Sequence, residues 1–381
     1  MFAGASARGA RARVDAFVEA LDSELCLRAD ALDARFGGRP PLETVYLGGG
    51  TPTLLAADVV HGILARVRER FGLAPDAEVT AEANPGQDER GDPTALRDAG
   101  VTRISYGAQA LDDRLLRGLG RRHRVADVAA AVAEARAAGI PSISLDLLYD
   151  VPGQSLGDWI ATLDAALELG PDHLSLYALT LDDPDVEGLT GQLGDHLPAT
   201  TGARRWREAA RDQQDEDRAA AQYHHAVALL DGLGWRGYEI SNWAKPGHES
   251  RHNLAYWQRH PYEAVGPGAH AFDGVTRRWT AARLDGYLAA LTPADGAPAS
   301  LPLGGDERVD GPAAAIEATI LGLRLDTGLG LADALRPPLG DQFGWALAAE
   351  LLEVVGERGT ERVRLTTRGR LLSNELFGRL V

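Results

Sequence analysis

Apolar residues in the first part of the chain fall at helical spacing. Val14, Phe17, Val18, Leu21 and Leu25 share one face of residues 11–35, with acids between them. The pattern then changes to short β-like runs. Residues 44–47 end at Gly48, Gly49, Gly50, Thr51 and Pro52, and 56–70 returns to helical spacing. The cycle repeats with strand 79–82, helix 93–99, strand 103–107, helices 111–119 and 125–138, strand 143–148, helix 155–169 and strand 173–178. Strands alternating with helices predict parallel βαβ units. Five strands do not complete an eight-stranded barrel, so the expected fold class is α/β, as an open doubly wound sheet or a partial (β/α) barrel over residues 1–182.

The rhythm breaks at 183–215, where Asp, Gly, Pro, Thr and Arg predict an irregular linker. Residues 216–300 form a second region. Helical 216–232 and a β run at 235–240 lead into 241–275, which is rich in Gly, His, Asn and aromatics and reads as loop. A Pro/Gly linker over 294–312 precedes a small C-terminal domain, 301–381. Its helices, the strand 362–365 and a final helix have the order of an α+β, winged-helix-like unit.

The chain has 381 residues and a formal net charge of −16, a balance that argues against nucleic acid as a partner. No apolar run approaches the ~20 residues of a membrane-spanning helix, and the first residues lack the apolar core of a secretory signal. Cys26 is the one cysteine. It excludes an internal disulfide, fits a reducing cytoplasm and is expected to be a buried structural thiol.

Candidate chemistry gathers at strand ends. Three glycines after residue 47 are more than a turn needs, and their N–H groups can receive a carboxylate or phosphate. Glu82, Gln109 and Asp146 lie at or just beyond the C-terminal ends of predicted parallel strands, the edge where α/β folds bind ligands. Asp146 stands between Leu145 and Leu147, so its carboxylate needs a donor, with Arg103 and Arg121 as candidate partners. In the aromatic stretch, His252, Asn253, Tyr256, Trp257 and His270 leave two readings open. They ligate heme iron and hold a flat ring, or they fix a loop.

Together these motifs resemble one family. Gly48-Gly-Gly-Thr-Pro-Thr53, Glu82-Ala-Asn-Pro85, Arg103-Ile-Ser-Tyr-Gly-Ala-Gln109, Gly120-Arg-Arg-His123, Asp146-Leu-Leu-Tyr149 and Pro152-Gly-Gln154 resemble the radical S-adenosylmethionine (SAM) proteins related to oxygen-independent coproporphyrinogen III oxidase. Tyr238-Glu-Ile-Ser-Asn-Trp243, His252-Asn-Leu-Ala-Tyr-Trp257 and Gly266-Pro-Gly-Ala-His270 are similar to its heme chaperone HemW branch. The resemblance runs from about residue 12 to the end. It implies a partial (β/α) barrel of the radical SAM type with a C-terminal domain. Carried over by position, the SAM site falls on Gly49, Gly50, Thr51, Glu82, Gln109, Arg121, Asp146 and Thr180, and the His252–Trp257 motif is associated with heme.

The sequence departs from the family in three places, one being residues 188–212, which are longer and more irregular than usual. The family's Cys-x3-Cys-x2-Cys loop, which holds a [4Fe–4S] cluster, and the strand before it are absent from these residues, and Asp150 stands where a glycine is usual. Residues 44–47 are therefore expected to form an edge strand, whose apolar Val45 and Leu47 invite pairing with another chain. The resemblance implies a cytoplasmic heme chaperone-like protein that binds heme and SAM, acts in porphyrin metabolism and serves an unidentified heme acceptor protein. The alternatives are a coproporphyrinogen oxidase-like radical enzyme with a shortened N-terminus and a non-catalytic paralogue.

Overall fold

The computed structural model describes residues 7–181, 200–293 and 297–381. Helix α1 (Ala7–Phe36) leads into β1 (Leu42–Leu47), α2 (Ala57–Phe71), β2 (Leu73–Ala83), α3 (Pro93–Ala99), β3 (Arg103–Gln109), α4 (Asp113–Gly118), α5 (Val125–Ala138), β4 (Ser142–Tyr149), α6 (Leu156–Glu168) and β5 (His173–Ala178). Then come α7 (Thr201–Arg211), α8 (Glu216–Gly232), β6 (Arg236–Gly237) and β7 (Asn242–Ala244). These strands form one seven-stranded sheet in the order β1-β2-β3-β4-β5-β7-β6. The first five are parallel, while β7 runs antiparallel to both β5 and β6. The sheet curls into a half-barrel, the expected fold class, with β1 at one end, as expected where the family's preceding strand is absent from these residues.

Alternation along the strands gives the sheet two unlike faces. Ile104, Tyr106, Ala108, Ile143, Leu145, Leu147, Leu174 and Leu176 point outward and are buried against Leu64, Val128, Val132, Trp159 and Leu163 of the surrounding helices. Arg103, Ser105, Ser142, Ser144, Asp146, His173, Ser175 and Tyr177 occupy the alternate positions and line the inner face. The strand register sets these polar residues side by side: Ser105 is opposite Ser144, Ser144 opposite His173, and Asp146 opposite Ser175.

The chain continues through α9 (Arg251–Trp257), β8 (His270–Phe272), β9 (Thr276–Thr280), α10 (Leu284–Leu291) and β10 (Leu303–Arg308). Strands β8, β9 and β10 form a separate antiparallel sheet spanning the expected boundary at 300/301. The remainder is α11 (Gly311–Arg324), β11 (Leu329–Gly330), α12 (Leu331–Ala334), α13 (Gly340–Ala348), β12 (Leu352–Val355), β13 (Arg362–Leu365), α14 (Thr367–Leu371) and α15 (Ser373–Phe377). Its antiparallel sheet β11-β13-β12 packs Leu323, Val363, Leu365 and Phe377 into its own core.

Five elements stand where the sequence pattern predicts loop or linker: the short strands β7 and β8, helices α7 and α9, and strand β10. Part of the 183–215 linker lies outside the described residues, but its end is helix α7, started by Thr200 Oγ1 accepting from Ala203 N at 3.1 Å. Its apolar stripe is short, Ala203, Trp206 and Ala210, and is set in a strongly polar, arginine-rich segment. Helix α9 is short and begins where Ser250 Oγ accepts from Asn253 N at 3.3 Å. Strand β10 carries Gly304 and Gly305, which read as linker because strands rarely use glycine. The indole of Trp279 explains them: Cβ atoms there would lie 2.7 and 2.5 Å from it. Cys26 is half-buried in α1 and not fully buried as expected.

Candidate functional site

The candidate SAM residues meet at the C-terminal edge of the parallel strands, which we call the upper edge. After β1 the chain must pass Tyr46 and Glu82, and only glycine fits at 48. A Cβ there would lie 2.6 Å from the Tyr46 ring and 3.1 Å from the Glu82 carboxyl carbon. Gly49 turns with φ +82°, a conformation that glycine adopts freely. Its N–H donates to Glu82 Oε2 at 3.2 Å, and Tyr46 O–H donates to Glu82 Oε1 at 2.7 Å. Asn84 Nδ2 ties the loop down by donating to Thr51 Oγ1 at 3.0 Å. Gly49 and Gly50 themselves face open space.

Asp146 stands two strands from Glu82 on the same face. Burial pushes its carboxyl up to about 6, partly offset by hydrogen bonds from Ser175 and Ser105, and the nearby Glu82 charge raises it further. Ser105 Oγ lies 3.0 and 3.2 Å from its two oxygens. The expected arginine partners are not in contact with it. Arg103 donates to Ser142 Oγ and to the His248 carbonyl, and influences Asp146 only through space. Arg121 lies between α4 and α5. Burial lowers the pKa of its guanidinium against the opposing Glu89 charge, and it makes no ion pair among the described residues. Gln109 ends β3 at φ +65° and folds back over Gly107, where a Cβ would lie 2.9 Å from its Nε2. Thr180 follows β5 as an exposed residue at this same edge. Asp150, at the family's usual glycine, adopts φ +54° and is held by an ion pair with Arg218.

Tyr46, Ser105, Ser175 and Tyr177 stand beside Glu82 and Asp146 and are absent from the sequence-based set. Alternation marks them, since each is a polar residue at the inward position of an otherwise apolar strand.

The aromatic motif packs below this edge, against β1 and β2. The Glu78 carboxylate accepts from His252 N at 3.0 Å and Arg251 N at 3.1 Å, seating the start of α9 on the inner face. Both ring nitrogens of His252 are engaged: Nδ1 is 2.8 Å from Thr44 Oγ1 and Nε2 is 2.9 Å from the Tyr256 hydroxyl. Burial lowers its pKa, so the imidazole is neutral, and the ring stacks on Tyr46 at 5.1 Å. Asn253 Nδ2 lies 3.5 Å from the Tyr238 hydroxyl, which is 2.9 Å from His173 Nε2. Trp257 lies beneath the Arg324 guanidinium at 4.4 Å. His270 is not part of this cluster. It is exposed on β8 and stacks on Trp279 at 5.9 Å, and the aromatic series Tyr256, Tyr262, Phe272 lies between it and His252.

The residues present fit the polar groups of SAM. The upper edge carries an open glycine loop, the desolvated Asp146 carboxylate and Arg121, which makes no ion pair among the described residues. They do not fit a [4Fe–4S] cluster: these residues carry one thiol, and no group of His, Cys, Asp and Glu among the described residues is placed to hold a metal. No described helix is long and apolar enough to cross a membrane.

Residues 30–166 match the Radical SAM superfamily. The heme chaperone HemW of Mycobacterium tuberculosis (strain H37Rv) is 39% identical over 367 residues, covering 96% of this chain and 86% of that protein. HemW of Bacillus subtilis (strain 168) is 30% identical over 375 residues, covering 96% and 91%. Among solved structures, the coproporphyrinogen III oxidase HemN from Escherichia coli, a radical SAM enzyme, superposes with a TM-score of 0.74 at 21% identity, covering 96% of this chain and 82% of that one. That likeness establishes the fold, and the relatives at 30–39% identity establish the lineage: the chain belongs to the heme chaperone HemW family of radical SAM proteins.

Proposed function

We propose that the protein binds heme and SAM on the half-barrel and hands heme to an acceptor protein in the cytoplasm. One observation supports this most directly. The His252 ring stacks on Tyr46, and the Tyr46 hydroxyl holds Glu82, so the aromatic motif and the SAM edge form one continuous site.

Gly49, Gly50 and Thr51 receive the amino-acid end of SAM with N–H groups and a hydroxyl. Glu82 and Asp146 accept from its ammonium and ribose hydroxyls, Arg121 faces its carboxylate, and Gln109 and Thr180 flank it. A cluster supplies the electron for SAM cleavage in radical SAM proteins. The thiol content of these residues does not provide for one, so the part they play toward SAM is to bind and orient it. On the heme side, Tyr256 and Trp257 offer flat apolar contact, which supplies affinity by area burial. Of the two candidate axial ligands, His270 has an exposed imidazole, while His252 must give up a hydrogen bond to coordinate.

Absorbance titration with hemin tests this reading. Saturable binding with a shifted Soret band is expected, followed by transfer to an apo-globin added as a surrogate acceptor. His270→Ala is expected to change the spectrum. Hemin uptake that never saturates, as for nonspecific adsorption, would end the heme-binding reading.

A further inference from the structure

Trp206 is a large residue left 41% exposed on α7. Its ring is held in place, because Nε1 donates to the Gly118 carbonyl at 3.1 Å, at the end of α4. Both elements lie on connections that leave the upper edge, α4 after β3 and α7 after β5. Arginines crowd this junction. Arg117 adjoins Gly118, Arg121 and Arg122 follow within the same turn, and Arg205 adjoins Trp206.

Most described arginines enter ion pairs or hydrogen bonds. Among the described residues Arg117, Arg122 and Arg205 are exposed and enter no ion pair, whereas Arg204 and Arg207 of the same helix have partners. The neighbouring acids are occupied. Asp112 accepts from the N–H groups of Arg114 and Leu115, Asp113 from Val125 N, and Asp127 from Arg124 N. Asp158 pairs with Arg114. Glu208 is the exposed acid left on α7 nearby.

We infer that Trp206 with Arg117, Arg122 and Arg205 forms a platform for the carboxylates of a flat tetrapyrrole, the two propionates of heme. Guanidinium forks match carboxylates two bonds at a time, and a fixed indole offers a face or edge to a planar ring. The platform carries one aromatic residue among cations. That suits a small flat dianion better than a protein surface, which requires a broad buried apolar centre. The inference rests on the heme-binding reading above and gives the ligand a docking position at the upper edge, apart from the aromatic motif below it.

The test uses the full chain with hemin, metal-free protoporphyrin IX and hemin dimethyl ester, in which both carboxylates are masked. The variant is Arg117→Ala/Arg122→Ala/Arg205→Ala, checked for an unchanged melting temperature. The wild type is expected to bind hemin and protoporphyrin at least about tenfold tighter than the triple variant does. Masking the carboxylates is expected to weaken binding by a similar factor in the wild type and to leave the triple variant unaffected. Trp206→Ala is expected to weaken protoporphyrin as well as hemin. If the triple variant binds hemin as tightly as the wild type does, the platform is overturned and the heme-binding reading stands. If the wild type binds neither hemin nor protoporphyrin, the heme-binding reading fails and takes the platform with it.

Discussion

Below and above Tyr46, the inner face of the half-barrel treats polar residues in opposite ways. Below it, Glu78 accepts from two backbone N–H groups of α9, His252 uses both ring nitrogens, and Arg103 and His173 each bond to two partners. At the upper edge Asp146 is held by hydroxyls alone with its pKa raised, Arg121 has no ion pair among the described residues, and Gly49 and Gly50 face open space. Polar groups satisfied inside the protein fix the fold, whereas groups left incompletely paired are available to a ligand.

The contrast is tested most severely at Glu78. Glu78→Ala removes the acceptor of two backbone N–H groups and detaches α9 from β2. Hydrogen bonds to a charged group give about 1.5–3 kcal/mol each, so a loss of about 3 kcal/mol in urea unfolding is expected. A loss below about 1 kcal/mol would mean that the lower end is not held together by these bonds.

Asp146→Asn is expected to do the reverse. The carboxyl titrates near 6 in the folded chain and near 3.8 unfolded, so the native state favours the protonated form. Stability therefore falls as pH rises from about 4 to about 6, and the cost persists at neutral pH. The amide removes that charge, and a gain of about 1–3 kcal/mol at pH 7.5 is expected, with the pH dependence flattened. SAM affinity, measured by calorimetry, is expected to fall by about 1.5–3 kcal/mol in the same variant. The wild type is expected to bind SAM more tightly as pH rises through about 6. A variant that is destabilised and binds SAM normally would move Asp146 into the structural class.

His252→Ala separates structural from ligand roles within the aromatic motif. Two hydrogen bonds and a stacked ring predict a loss of about 1–2 kcal/mol. Burial depresses the pKa of this imidazole, so its contribution is present above the unfolded value of 6.5 and is lost as pH falls through the lower folded value. The thermal midpoint of the wild type is therefore expected to drop below pH 6.5 more steeply than that of the variant. An unchanged Soret band in the variant would remove His252 from the axial ligands.

Sequence patterns encode some of this contrast and not the rest. The parallel strands declare themselves by apolar runs and glycine stops, and the edge residues Glu82, Gln109 and Asp146 follow from strand ends. For Asp146, charge suggests arginine partners, whereas register places Ser105 and Ser175 beside it. The seat of α9 on β2 joins residues 174 apart in sequence, His252 and Glu78, and no local pattern encodes it. Helix α7 and strand β10 are hidden for a related reason. One carries only a short stripe of two alanines and Trp206 in a strongly polar segment, and the other uses glycine to admit an indole.

The smallest expected effect lies within the glycine loop, where adjacent glycines have different reasons to be glycine. A methyl group at 48 would collide with Tyr46 and Glu82, the link between the two ends of the inner face. At 49 it would meet nothing within 4 Å, and only the φ of +82° opposes it. Gly49→Ala is therefore expected to lower stability by about 1 kcal/mol, the cost of a left-handed non-glycine residue. The Tyr46–Glu82 bond should survive, because the substitution leaves both side chains alone. SAM binding is expected to weaken further than stability does, since the loop that receives it must hold a strained turn while its N–H groups reorient. A loss of several kcal/mol in unfolding free energy would show that Gly49 faces a packed interior, and the loop would then belong with the closed lower end of the site.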